Sequence, residues 1–347
     1  MAEAAFVVCS DANWLWQSAF VLQQAIDSDP EGRFDYFFAT DSDPGSLPLA
    51  SLLDPRVTVL NLAEDLVGVS RMKHHHVPKA AFLRFLALDR LASSYAKVIY
   101  ADGDVFLSWG SWTELLDLPE ASQPVAAVAA RPVWFNHPRM RYGRRYRRAL
   151  CPEMGDRYLN SGVLLVNAGQ YQVDAVSQRS LAFFRDNPEL CQQADQSALN
   201  AVLSGGWDEL SPSWNWQVSS FNYPLLARFH PRVIHFTGPI KPWNDRHGFF
   251  RPARDAMAQF LADRDAAQVA DALQAATSPH ETVSPRLESF RSVWLDDSET
   301  KLSRIDHYLQ RQDFVDTTAG LPVYASGPSG FGARAVSTAP ICHEGLQ

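Results

Sequence analysis

The chain lacks any apolar run long enough to cross a bilayer, and its first, residues 4–9, is only a strand's length. Glu3 and Asp11 bound that run, so neither a signal peptide nor a transmembrane helix is expected from it. Cysteine is scarce. Cys9, Cys151, Cys191 and Cys342 lie far apart with no CxxC pair, a usage that fits reduced thiols and a cytoplasmic protein. Glycine is missing from residues 9–14, directly after the first apolar run. That gap disfavours a nucleotidyltransferase, which carries a glycine-rich phosphate loop at this point. The chain also has no internal repeat and no nucleic-acid-binding motif, so no nucleic-acid partner is expected.

What is present is enough apolar material for a sizeable core: 347 residues, 46% of them hydrophobic. Short apolar stretches alternate with helical periodicities, the pattern of an α/β fold. Strands are expected at 5–10, 33–40, 57–60, 98–101, 125–129, 162–166 and 232–236. Helices are expected at 14–26, 79–92, 175–187, 195–203 and 252–276. The composition then changes. Ser-Pro pairs at 278–279 and 284–285 suggest a linker, 287–312 suggests one or two amphipathic helices, and the stretch from 317 is rich in Gly, Ala, Ser and Pro. Such a tail cannot bury enough apolar surface to order itself. The expected division is a main domain at 1–276, a linker and helical extension at 277–316, and a flexible tail at 317–347.

Two carboxylates one residue apart occur four times, and context separates them. Asp27/Asp29 and Asp41/Asp43 lie in turn-like sequence beside Pro30 and Pro44, and Asp263/Asp265 lie in a polar helical stretch. Only Asp102-Gly103-Asp104 follows an apolar run, Lys97-Val-Ile-Tyr-Ala101, and leads into another, Val105-Phe-Leu. The carboxyl end of a buried strand is where α/β folds bind ligands. The glycine lets the chain turn and aim both carboxylates at one ion. Much later comes His235-Phe-Thr-Gly238-Pro-Ile-Lys241-Pro-Trp243. Carboxylate oxygens and a neutral imidazole suit Mn²⁺ or Mg²⁺, and a nearby lysine supplies a charge for a phosphate oxygen. Three consecutive histidines, His74 to His76, read instead as a polar loop, because they cannot all face one ion in a regular element.

Taken in order, these motifs resemble glycosyltransferase family 8, a retaining, metal-dependent class. The likeness runs from about residue 5 to 250 and includes Asp11-Ala-Asn13-Trp14, Arg84, Asp102-Gly-Asp104, Leu159-Asn160-Ser-Gly162, Asp195-Gln196 and the closing His235 motif. It implies a GT-A type, Rossmann-like mixed sheet flanked by helices, with a C-terminal helical extension outside the likeness. It implies transfer of a hexose, galactose or glucose, from a UDP-sugar to a hydroxyl of a glycan or glycolipid, with Mn²⁺ or else Mg²⁺. By the same resemblance Asp102, Asp104 and His235 ligate the metal. Asp11 and Asn13 meet the nucleoside, with a helix cap as the alternative for Asp11. Gly103 and Gly238 let backbone approach the donor, Lys241 neutralises the leaving phosphate, and Arg84 lies near donor sugar and phosphate. Asn160, Asp195 and Gln196 grip sugar hydroxyls beside the anomeric carbon. His76 falls on the acceptor side. Retention by front-face attack and by double displacement both stay open.

Charge is uneven on a chain of net charge −8. Residues 131–148 hold seven arginines and no acid, interleaved with Trp134, Phe135, Tyr142 and Tyr146. This segment is expected either to attract an anionic acceptor such as a lipopolysaccharide core, with peripheral contact at the inner membrane face, or to pair with the acidic remainder as part of the fold.

Overall fold

The computed structural model describes residues 2–67, 82–119, 122–135, 144–218, 225–245, 248–264, 298–311 and 314–316. Ten strands are described: β1 (Ala4–Ser10), β2 (Phe34–Thr40), β3 (Val57–Asn61), β4 (Lys97–Ala101), β5 (Val105–Leu107), β6 (Val125–Ala129), β7 (Leu159–Asn167), β8 (Asp208–Leu210), β9 (Trp216–Val218) and β10 (Val233–Phe236). Seven form one twisted layer in the order β3-β2-β1-β4-β7-β6-β8. The β3-β2-β1-β4 half is parallel, β7 runs antiparallel to both β4 and β6, and β8 is parallel to β6. The sheet is therefore mixed, as the sequence implied. Both its faces are covered. That burial explains why β1 and β6 read as continuous Ala/Val/Phe runs rather than alternating ones.

Strand direction decides where chemistry can gather. Because β7 is reversed, its beginning lies beside the carboxyl end of β4: Ala101 pairs with Val163, and the Asp102 N–H donates to the Gly162 carbonyl at 2.8 Å. The carboxyl end of β1 adjoins them through the Val8–Ala101 pairing. Helix Leu83–Ala92 packs across β1 and β4 through Leu83, Phe85, Leu88 and Leu91, all buried.

A second sheet of three strands, β5-β10-β9, closes the same edge. The expected strand at 232–236 thus belongs to this small sheet and not to the main one. Its ladder sets His235 opposite Val105, and the Phe236 N–H donates to the Asp104 carbonyl at 3.0 Å. Backbone pairing thus brings together residues more than a hundred positions apart. Strands β8 and β9 were not expected. Each has three residues, too few to show a period of two.

The helix expected at 79–92 is described from Leu83, and 79–81 lie outside the described residues, as do His74 to His76. The helix expected at 252–276 is described as Arg251–Ala262. The boundary near 276 and the tail from 317 also fall outside. Within the extension, helix Ser298–Leu309 returns to the main sheet. Ile305, Tyr308 and Phe314 are buried in the same core as the strands, and the Val315 N–H donates to the Glu209 carbonyl of edge strand β8. Glu209 is itself buried, with Arg311 Nη1 and Nη2 at 3.0 and 3.1 Å from its two oxygens and the Tyr308 hydroxyl donating to it. Among the described residues, no helix is long and apolar enough to cross a membrane.

Candidate active site

At the edge where β1, β4, β7 and the small sheet meet, Asp102, Asp104 and His235 each offer one ligand atom, and these atoms all lie within 4.8 Å of one another. His235 Nε2 stands 3.2 Å from Asp104 Oδ1 and 3.7 Å from Asp102 Oδ2. The imidazole is buried against Gly162 of β7. A Cβ at that position would overlap its Cε1 and Nδ1. Two carboxylates and an imidazole form a mixed oxygen and nitrogen donor set, the kind that suits a divalent first-row cation or Mg²⁺. The donor set and the glycine cradle therefore fit such an ion.

Positive charge surrounds these carboxylates. Lys241 Nζ lies 2.7 Å from Asp104 Oδ2 and also donates to the Phe236 carbonyl. Burial alone would raise the Asp104 pKa, but His235 and Lys241 hold the carboxyl well below the usual carboxylate range. On the other side Arg84 bridges two acids, with Nη2 at 2.9 Å from Asp102 Oδ1 and Nε at 3.0 Å from Asp195 Oδ2. Its Nη1 donates to the Ser161 carbonyl at 2.7 Å, and its guanidinium lies 4.6 Å from the centre of the Tyr100 ring. The residue is 7% exposed, so it is no surface ion pair. Burial costs the guanidinium its hydration, yet Asp102 and Asp195 raise its pKa above the usual arginine value. Asp195 is pushed up to about 6 by burial, with Arg84 opposing and the Asp102 charge adding.

Gln196 is held rigidly. Its Oε1 accepts from Asn160 Nδ2 at 2.9 Å and from the Ser161 N–H at 3.3 Å, and its Nε2 donates to Gln193 at 3.0 Å. Asn160 is the second residue of β7 and is buried. Asp11 and Asn13 do follow β1, and Asp11 does cap: it accepts from the Asn13 N–H at 2.9 Å. Asn13 is exposed, and Trp14 is 37% exposed, edge-on to Trp243 with ring centroids 5.1 Å apart. Gly103 packs against helix Leu15–Asp27, where a Cβ would press on Ser18 Oγ. Gly238 is buried two residues beyond β10.

Two partners were missed by the sequence reading. The Tyr100 hydroxyl donates to Asp102 Oδ1 at 2.5 Å, and Asn215 Oδ1 lies 2.9 Å from His235 Nδ1. Tyr100 lies in β4 and precedes by two Asp102, the first residue after that strand. Asn215 was legible only as a lone amide between Trp214 and Trp216.

The sequence profile of glycosyl transferase family 8 matches residues 58–247, more than half of the chain. The protein belongs to that family. General stress protein A of Bacillus subtilis (strain 168) is 28% identical over 206 residues, 54% of this chain and 66% of that protein. The lipopolysaccharide glucosyltransferase WaaO of Escherichia coli (strain K12) is 29% identical over 177 residues, 48% of this chain and 49% of that protein. The chain thus spans about half to two thirds of these relatives' lengths. Among solved structures, the bifunctional glycosyltransferase WbbM aligns with a TM-score of 0.60 at 19% identity, over 78% of this chain and 51% of that one. The galactosyltransferase LgtC, solved with donor and acceptor sugar analogues, aligns with a TM-score of 0.54 at 20% identity, over 82% of this chain and 99% of that one. At such identities the likeness establishes the fold alone. It agrees with the mixed, helix-flanked sheet of this family member.

Proposed function

We propose that this protein is a retaining glycosyltransferase that moves galactose or glucose from a UDP-sugar to a hydroxyl of a glycan or glycolipid, with Mn²⁺, or Mg²⁺ in its place. The observation that carries this reading is the convergence of Asp102, Asp104 and His235 at one sheet edge, next to the Asp195–Arg84–Asp102 bridge, whose Arg84 and Asp195 are buried. Held by those three residues, a divalent ion would supply charge stabilisation for a departing diphosphate. The chain's own residues would do the rest. Lys241, 2.7 Å from Asp104, would neutralise a phosphate oxygen, and Gly238 would let backbone approach the diphosphate. Asp11 and Asn13, with the exposed face of Trp14, would receive the nucleoside. Asn160, Asp195 and Gln196 would meet sugar hydroxyls, with Arg84 fixing the Asp195 carboxylate between sugar and phosphate.

The hydrogen bonding favours front-face attack over double displacement. Asp195 is engaged by Arg84 and by the Ser161 hydroxyl, and Gln196 Oε1 already accepts two hydrogen bonds. Both contacts on Asp195 fall on Oδ2, where the Arg84 charge weakens the carboxylate as a nucleophile, and the Gln196 amide oxygen is a poor nucleophile that is already in use. The lipopolysaccharide glucosyltransferase among the similar proteins supports a hexose donor and a lipopolysaccharide-type acceptor, and contact with the inner membrane face is a further part of the proposal. A panel of UDP-sugars assayed for UDP release with and without Mn²⁺ tests the proposal. One donor should stand out and require the metal. Uniform inactivity across UDP-sugars, with release from another nucleotide sugar, would overturn the assignment of the donor.

A further inference from the structure

The buried carboxamides around His235 form a chain whose polarity can be deduced from a single backbone group. The Gly162 N–H can only donate, and it lies 3.0 Å from Asn160 Oδ1. That fixes the Asn160 amide with its oxygen toward Gly162 and its nitrogen toward Gln196 Oε1, which the Ser161 N–H independently marks as an acceptor. The atom of Asn215 that approaches Asn160 Oδ1, at 2.8 Å, must then be its nitrogen. Asn215 therefore presents its oxygen to His235 Nδ1 at 2.9 Å. An acceptor there requires a proton on Nδ1. The remaining nitrogen, Nε2, is left with its lone pair directed at Asp104 and Asp102.

We infer that Asn215 is a positioning residue that holds His235 in the Nδ1–H tautomer, so that Nε2 is presented as a ligand, with the Gly162 backbone as the fixed reference. The inference rests on reading Asp102, Asp104 and His235 as a cation site. Asn215 has no solvent exposure and sits between buried Trp214 and Trp216, so its amide cannot turn over without breaking both bonds. Asp104 Oδ1 and Asp102 Oδ2 both face Nε2, so a cation there would meet three ligand atoms, and Asn215 opposes moving the proton to Nε2. The same chain continues through Asn160 to Gln196 and Gln193, so the metal side and the sugar side share one hydrogen-bonded spine. Partners of this kind, which fix the orientation of a ligating histidine, typically change metal affinity by about 10–100-fold when removed.

Two measurements test the inference separately from the reading beneath it. Long-range ¹H–¹⁵N correlation on the metal-free protein at alkaline pH, with the His235 signals assigned by their loss in His235→Gln, should show the proton on Nδ1. A proton on Nε2 with Nδ1 bare would overturn the inference. Mn²⁺ binding followed by electron paramagnetic resonance should weaken about 10–100-fold in Asn215→Leu and much less in Asn215→Asp, which keeps an oxygen for Nδ1–H. Wild-type Mn²⁺ affinity in folded Asn215→Leu, while His235→Ala loses binding, would also overturn it. Should His235→Ala itself bind Mn²⁺ as the wild type does, the cation site is what fails, and the tautomer spectrum alone decides the role of Asn215. If Asn215→Leu does not fold, that spectrum of the wild type decides as well.

Discussion

Arg84 shows how much one side chain decides here. It is the only cation joining Asp102 to Asp195 among the contacts described, and removing it leaves the buried Asp195 carboxylate unpaired beside the half-buried Asp102. Breaking a buried pair from one side costs about 3–5 kcal/mol. Arg84→Ala should therefore lower the urea-unfolding free energy by that order, and Arg84→Lys should recover only part, because one ammonium cannot reproduce the fork to both acids. Gly162 is a second such point. Gly162→Ala should displace the His235 ring and reduce Mn²⁺ affinity, with a stability loss of about 1–3 kcal/mol measurable by the same unfolding. Asp195 gives a pH signature. Its carboxyl titrates near 3.8 when unfolded and is pushed up to about 6 when folded, so the folded state holds the extra proton between those values. Stability from this group is therefore full below the lower value and is lost as pH rises through about 6. Relative to Asp195→Asn, which cannot titrate, the wild type should lose about 1–3 kcal/mol of unfolding free energy across that window. A pH-independent difference would mean that Asp195 is not raised.

At the scale of elements, the small sheet and the docked extension carry most of what the sequence could not tell. Runs such as Val98 to Ala101 announce a buried strand by composition, and the acids that end it follow directly. The contact between His235 and Asp104 needs the antiparallel β5–β10 ladder, a pairing across more than a hundred residues that no local pattern specifies. Asn160, Asp195, Gln196 and Lys241 were legible through motif order, whereas Tyr100 and Asn215 act only once tertiary packing sets their partners. The extension was legible as amphipathic helix but not as part of the core. Its attachment is testable: Arg311→Ala removes the guanidinium fork from Glu209, which is 4% exposed and lies on β8. We expect a loss of about 3 kcal/mol in chemical unfolding, reduced when Glu209→Gln is combined with it. Equal effects of the single and double variants would show that the fork does not tie the extension to β8.

For the whole molecule, the arginine-rich segment divides into two roles. Arg147 is 3% exposed and faces Asp156 at 3.4 Å, so it belongs to the fold, while Arg145 and Arg148 are exposed. The acceptor attraction expected from all seven arginines is thus proposed only for those on the surface, and it should be screened at a Debye length of about 8 Å in physiological salt. Replacing Arg145 and Arg148 with Glu should raise the KM for an anionic acceptor and flatten its salt dependence, with donor hydrolysis unchanged. An acceptor KM indifferent to the substitutions and to salt would remove that role. Everything else in the functional account depends on one site joining metal and nucleotide. Calorimetric titration of UDP into the wild type with Mn²⁺, into the wild type with chelator, and into Asp104→Asn with Mn²⁺ tests it most directly. Binding is expected in the first case and a loss of at least about tenfold in the other two; UDP affinity unchanged by chelator and by the substitution would contradict a shared metal and nucleotide site.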